Sequence, residues 1–255
     1  MIHLKSADQI TKMKASGQIV ARIFQMLSES IVPGISTWEI NELAHNHIIQ
    51  SGATPSFLHY GSPPFPASVC TSVNCEVVHG IPSKTCVLSE GDIVSVDIGA
   101  YLDGFHADAA RTFTVGRVST EIAELVRVTE ESFWKGVENA CVGARVGDIS
   151  SAIQRHAESF GFGVVRQLVG HGIGQKLHED PDVPNFGKSG RGPRLEEGMA
   201  LAIEPMINLG VSEICMMPDQ WTIATADGLY SSHYENTIII TREGPMITTV
   251  LDDKL

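Results

Sequence analysis

The chain has 255 residues, 43% of them apolar, and carries 30 acidic against 18 basic side chains, for a net charge of −12. That size suits one large domain or two modest ones with a sizeable core, and the acidic balance argues against a general nucleic-acid or anionic-membrane binder, which needs a basic face. No apolar run reaches the roughly 20 residues of a membrane span, the N-terminal MIHLKSADQITKMK lacks the apolar core of a signal peptide, and five cysteines without a C-x-x-C pair read as reduced thiols in a cytoplasm.

Ser6-Ala-Asp-Gln9 has the form of a capping box. Ile10, Met13, Val20, Phe24, Leu27 and Ile31 then recur at helical spacing until Pro33-Gly34. Thr37 is read as the cap of a second helix with Ile40, Leu43, Ala44 and Ile48 on its apolar face, ended by Ser51-Gly52. A proline-bearing loop covers 53–68, and strands are predicted near 69–73, 76–78, 92–99 and 108–115. Helices follow from Thr120 to about Cys141 and from Asp148 to Phe160, the latter closed by Gly161. Further strands are predicted near 164–169, 199–204, 214–217, 221–225 and 235–241. The order helix, helix, strands occurs twice. It predicts two similar halves packed as one α+β unit over 1–255, a sheet covered by helices, with no linker between them.

Several acids interrupt or end apolar runs. Asp97 sits in IVSVDIG, Glu204 ends MALAIEP, and Glu235 opens ENTIII. A lone carboxylate in such a run costs several kcal/mol unless a proton or cation offsets it. Asp103-Gly104 is a two-residue hairpin turn. Pairing about that turn sets Asp97 opposite Ala110 and puts Asp108 on the same face as a diagonal neighbour, close enough for both carboxylates to reach one pair of ions. Ser95 and Thr112 share that face, and Val94, Val96 and Ile98 take the other. Two solvent-facing acids on an edge hairpin are the alternative reading of this segment. Pro205 makes Glu204 extended, at a sheet rim; alone, Glu204 and Glu235 are equally readable as surface acids.

Gly170-His171-Gly172-Ile173-Gly174 frees His171 from neighbouring side chains and permits close backbone approach. His178 follows in LHEDP, and His79 ends a strand in VVHGIP. An exposed loop histidine or a hydrogen-bonded strand-end histidine would look the same. The glycines do not form a phosphate cradle: Gln175 stands where G-x-G-x-x-G requires glycine, and Gly187-Lys188-Ser189 lacks the earlier P-loop glycine, its place taken by Asp182. Together, four carboxylates and histidines among glycines make a bound metal pair the simplest explanation.

HGIP (79–82), DIVSVDIG with DGFHAD (92–108), GHGIGQKLHEDP (170–181), IEPM (203–206) and YENTIII (234–240), in this order and at these distances, resemble the type I methionine aminopeptidases over essentially the whole chain. The resemblance implies the pita-bread fold, two pseudo-symmetric αβ halves around a sheet-floored cavity. It also implies an enzyme that removes N-terminal methionine and prefers a small second residue. Asp97, Asp108, His171, Glu204 and Glu235 are the metal ligands it implies. Glu204 would also handle the proton of the attacking water, and His79 and His178 would contact substrate. Two divalent ions, with charge +4 against four carboxylates, are implied; hard ligands with one histidine suit Mn, Fe or Co and admit Zn. The implied partners are nascent polypeptide N-termini, met at the ribosome, for a monomeric cytoplasmic enzyme.

The chain departs from the family pattern at Leu177, where an aromatic residue is usual, at HYGSPPFPASVC (59–70), and at Asn236, where histidine commonly follows the last glutamate. Phe65, Cys70 and Trp221 remain as apolar lining for a thioether, although each alone reads as core packing. A prolidase or creatinase relative is the second reading. The about 70 residues before the first core strand are short for the large N-terminal domain those enzymes usually carry. A binding module that keeps only the fold, and a cysteine hydrolase using Cys70 with His79, are the remaining alternatives.

Overall fold

The structure is a computed structural model that describes residues 1–251; the end of the expected unit, 252–255, lies outside the described residues. The first half runs α1 (Ala7–Ser30), α2 (Thr37–Gln50), β1 (Thr54–Pro55), β2 (Val69–Val73), β3 (Glu76–Val78), β4 (Ile93–Leu102) and β5 (Phe105–Thr114). The second runs α3 (Thr120–Val137), α4 (Val146–Ser159), β6 (Gly163–Val164), β7 (Val169–Gly172), β8 (Glu179–Pro184), β9 (Ala200–Ile203) and β10 (Met206–Asn208). It continues through β11 (Ile214–Met216), β12 (Ile223–Thr225), β13 (Ser231–His233), β14 (Asn236–Thr241) and β15 (Gly244–Ile247). The repeated helix-helix-strand order read from the sequence is the observed one.

Local chemistry sets the helix ends, three times differently from the sequence reading. Ser36, not Thr37, caps α2: its hydroxyl accepts from the Glu39 amide while the Glu39 carboxylate accepts from the Ser36 amide at 2.8 Å. Thr37 is free to donate to the Ser83 carbonyl. Helix α4 begins before Asp148, whose carboxylate accepts from the Arg145 amide at 2.8 Å, one turn back. Helix α3 stops at Val137, short of Cys141.

All strand pairs are antiparallel. The first half builds a four-stranded sheet in which β4 pairs with β1, β2 and β5; the second builds a five-stranded sheet in the order β15-β14-β9-β7-β8. Two three-stranded sheets, β13-β10-β6 and β11-β12-β3, add walls. The register about Asp103-Gly104 is the one the turn predicts, with Asp97 opposite Ala110. Both Asp103 and Gly104 have positive φ, 50° and 89°, as that kind of turn requires. Val94, Val96 and Ile98 point away from the carboxylates into a core completed by Val20, Phe24 and Leu27 of α1. Phe133 of α3 and Ile149 and Ile153 of α4 likewise cover Leu201, Ile203, Ile238 and Ile240. Each half thus seals one sheet face with two helices.

The two sheets are stitched together at one place. The Glu235 amide donates to the Ala110 carbonyl at 2.9 Å, and the Ala110 amide donates back to Glu235 at 3.3 Å. Thr237 Oγ1 accepts from the Asp108 amide and donates to its carbonyl. The seam between the halves therefore runs through two of the acids singled out in the sequence.

Candidate metal centre

Residues far apart in sequence meet above this seam. Asp97 comes from the middle of β4 and Asp108 from β5, with Cys70 of β2 directly across from Asp97. Glu204 follows β9 and Glu235 precedes β14; these strands pair so that Ile203 faces Asn236, which brings the two glutamates to one rim. His171 lies on β7 opposite Ala202 of β9. Its flanking glycines are required by contact. A Cβ on Gly170 would stand 2.4 Å from the Ala202 carbonyl oxygen, and one on Gly172 would stand 2.1 Å from that of Asp180. Only a strand bare of side chains at both positions fits between β8 and β9 with His171 aimed at the acids.

His79 follows β3 with a left-handed backbone, φ 59°, a sparsely populated conformation for a side-chain-bearing residue. His178 meets His171 edge to face, with ring centroids 4.2 Å apart. Phe65 and Trp221 meet edge to face, and Trp221 also touches the ring of His79. Every residue singled out in the sequence lines one cavity of about 120 Å³: Asp97, Asp108, His171, Glu204 and Glu235 as its polar end, His79, His178, Phe65, Cys70 and Trp221 around it. Phe57, Tyr60 and Leu177 complete the wall.

The electrostatics of this arrangement call for a cation. Burial raises Asp97 to a pKa of about 7, and burial with mutual repulsion raises Asp108, Glu204 and Glu235 well above the carboxylate range. A hydrogen bond between the two side chains pulls Asp97 down and pushes Asp108 up. Even so, Asp97 Oδ1, Asp108 Oδ1 and Glu235 Oε1 are buried without a hydrogen-bond partner. Arg111 lies nearby, but it donates to the backbone carbonyls of Ala110 and Glu235 and to Asn236 Oδ1, and it is held between the rings of Phe24 and Tyr234. One guanidinium spent on carbonyls leaves the four acids unbalanced.

The histidines are arranged as electron donors. Nδ1 of His171 donates to the Gly172 carbonyl at 2.8 Å, which leaves Nε2 as a lone pair 3.8 Å from Glu204 Oε1. Burial holds His171 neutral, down to a pKa of about 3, and His79 down to about 4. One ligand atom each from Asp108, His171 and Glu235 lies within 4.8 Å of the others, and the same holds for Glu204, His233 and Glu235. A donor set of carboxylate oxygens and imidazole, with orphaned oxygens and no competing side-chain cation, fits divalent metal.

Three residues here escaped the sequence reading. His233 stands 3.7 Å from Glu204 Oε2 and 3.9 Å from Glu235 Oε2. It precedes Glu235 by two positions in an extended segment, so the period-two rule of strands placed both on one face. Tyr60 contacts His178 from a loop without periodic signal, and Arg111 is placed by the seam. Cys70, by contrast, has its thiol pushed well up by burial and by Asp97, which opposes a thiolate nucleophile.

Residues 11–242 match metallopeptidase family M24. The chain is 52% identical over 252 residues to a methionine aminopeptidase of Clostridium acetobutylicum, covering 99% of this chain and 100% of that protein. The chain belongs to the M24 metallopeptidases, among the methionine aminopeptidases. It is also 47% identical to methionine aminopeptidase 1 of Bacillus subtilis, over 98% of this chain and 99% of that one. The crystal structure of the Thermotoga maritima methionine aminopeptidase superposes with a TM-score of 0.96 at 43% identity, covering 98% of this chain and 100% of that chain. The prolidase of Pyrococcus furiosus, at 22% identity and a TM-score of 0.79, shares the pita-bread fold; the alignment covers 98% of this chain and 66% of that one. The α+β pita-bread reading and the family both stand. Among the described residues, no helix is long and apolar enough to cross a membrane.

Proposed function

We propose that this methionine aminopeptidase removes N-terminal methionine from new polypeptide chains, using two divalent ions held by Asp97, Asp108, His171, Glu204 and Glu235. The observation that carries the reading is the convergence of four carboxylates, Asp108 and Glu235 buried and Asp97 and Glu204 half-buried, three of them with orphaned oxygens, on one small cavity. When bound, such ions polarise the scissile carbonyl and bring the ionisation of water into the neutral range; Co, Mn, Fe and Zn all suit the donors.

The rest is done by the chain's own side chains. Glu204, at the rim, is raised by burial and by Asp97 and Asp108 while no cation is present; beside bound cations it would be a carboxylate, and in that form it takes the proton of the attacking water and returns it to the leaving amine. His178, fixed through Nδ1 by Tyr60, offers its other nitrogen to the developing oxyanion. His79 hydrogen-bonds the amide nitrogen that departs. Phe65, Cys70 and Trp221 receive the thioether. The cavity, at about 120 Å³, is well below the roughly 300–1,000 Å³ of sites for whole ligands. It takes one side chain, and a bulky second residue is left without room. Five unpaired thiols support action in a reducing cytoplasm, and we propose that the chain acts there as a monomer on new chains at the ribosome.

The test is cleavage of a Met-Ala-Ser peptide beside Met-Pro and Xaa-Pro dipeptides. Release of methionine from the first, abolished by a chelator and restored by divalent metal, is the expected result. No release at any metal concentration, or preference for the Xaa-Pro substrate, overturns it. Asp108→Ala should lose both bound ion and turnover.

A further inference from the structure

His233 is unlike the other histidines around the centre. It is 2% exposed, and its Nε2 is buried without a hydrogen-bond partner. It does not line the 120 Å³ cavity; it lines a separate cavity of about 410 Å³ together with Phe24, Arg111 and Tyr234. Its backbone is clamped on both sides, by pairing with Met206 and by Thr112 Oγ1, which accepts from the His233 amide and donates to its carbonyl. The ring is thus aimed at Glu204 Oε2 and Glu235 Oε2 from behind, at 3.7 and 3.9 Å.

Those distances are too long for hydrogen bonds. They are natural for two donors on one ion: with metal–ligand distances of about 2.0–2.2 Å, neighbouring ligands stand roughly 3–4 Å apart. We propose that His233 Nε2 is a ligand to a divalent cation, shared with Glu204 and Glu235. The inference rests on the metal-centre reading above and adds to it a nitrogen donor outside the five-residue set. A second imidazole beside His171 makes the centre richer in nitrogen and favours Co or Zn over Mn.

The full chain, stripped by chelation, is titrated with Co(II) alone while calorimetry reads affinity and visible absorption reads the ligand field. His233→Ala and His233→Gln are compared with the unmodified chain. The amide of Gln can still hydrogen-bond Glu204 but is a poor ligand, and its similar bulk keeps the test decisive where the Ala variant does not fold. Both variants should bind one Co(II) at least about 100-fold more weakly, beyond the roughly 10–100-fold loss of a residue that only supports a ligand, and both should show a shifted visible band. An unchanged band at any affinity, or full rescue by Gln, overturns the proposal, because a supporting hydrogen bond leaves the ligand field as it was. If the unmodified chain takes up no Co(II), the metal-centre reading itself fails, and this inference with it.

Discussion

The Tyr60 hydroxyl lies 2.6 Å from Nδ1 of His178, with the two rings 5.4 Å apart. This contact ties the loop that departs most from the family pattern to a histidine of the cavity. With Nδ1 engaged, the opposite nitrogen is the one left for substrate. One such hydrogen bond is worth about 1 kcal/mol, so Tyr60→Phe should lower kcat roughly 5-fold with little change in KM. His178→Ala, which removes the donor itself, should cost about 100-fold or more. Steady-state kinetics on Met-Ala-Ser decide it; equal rates for Tyr60→Phe and the parent chain would show that Tyr60 is only wall.

Gly61 underlies the same loop. Its φ is +75°, and a Cβ there would stand 2.5 Å from the Trp221 ring. Alanine at 61 would meet both a left-handed backbone, costing about 1–2 kcal/mol, and the ring that closes the side-chain pocket. Gly61→Ala should lower the melting temperature by several degrees and raise KM for methionyl peptides more than it lowers kcat. An unchanged KM would mean that Trp221 does not shape the pocket.

Much of this geometry was legible because it is local or periodic. Asp103-Gly104 sets the β4–β5 register, and that register alone brings Asp97 and Asp108 together. The glycines around His171 announce a strand that cannot carry side chains. What stayed hidden depends on contacts between distant segments. Strands β10, β13 and β15 are only three or four residues long, too short for alternation to register. They exist because their neighbours supply partners. His233 shares a period-two spacing with Glu235, but its backbone is fixed only by the pairing of β13 with β10. The Thr37 misreading has a different origin: two adjacent hydroxyl residues could each cap α2, and the choice fell to Ser36 because Glu39 lies three residues on and reciprocates.

Lys5 and Glu179 form an ion pair at 2.6 Å with side chains only 5% and 7% exposed. Lys5 also donates to the His3 carbonyl, and Glu179 accepts from the Lys176 amide, so the pair pins the N-terminal segment onto the loop that carries His178. Removing one partner strands the other charge without solvent, a loss of about 3–5 kcal/mol. Lys5→Ala and Glu179→Ala should each destabilise by that order in urea unfolding. The double change Lys5→Met with Glu179→Leu should regain most of it. Single variants within 1 kcal/mol of the parent would place the pair among ordinary surface contacts.

The clustered acids make the metal-free chain sensitive to alkali. Asp97, with a folded pKa of about 7, and Asp108, Glu204 and Glu235, raised further by burial and by one another, keep protons that the unfolded chain has already lost. Below the unfolded carboxylate pKa of about 4 both states are protonated and no penalty arises. Above it the folded state binds more protons than the unfolded, so stability falls as pH rises, by about 1.4 kcal/mol per pH unit for each group still protonated. Buried neutral histidines act in the opposite sense: His79, His171 and His233, with folded pKa values of about 4, 3 and 3, lower stability as pH drops through the unfolded value of 6.5. The two effects oppose each other near pH 6, and from pH 7 upward only the acids remain. Chelated protein should therefore melt at progressively lower temperature as pH rises above 6.5, for as long as Asp108, Glu204 and Glu235 keep their protons. With divalent metal bound the carboxylates are ionised in the folded state as well, and that decline should largely disappear. Melting curves with chelator and with added metal measure both arms; a chelated chain whose melting temperature holds or rises over that interval would mean that the four acids are not confined together in solution.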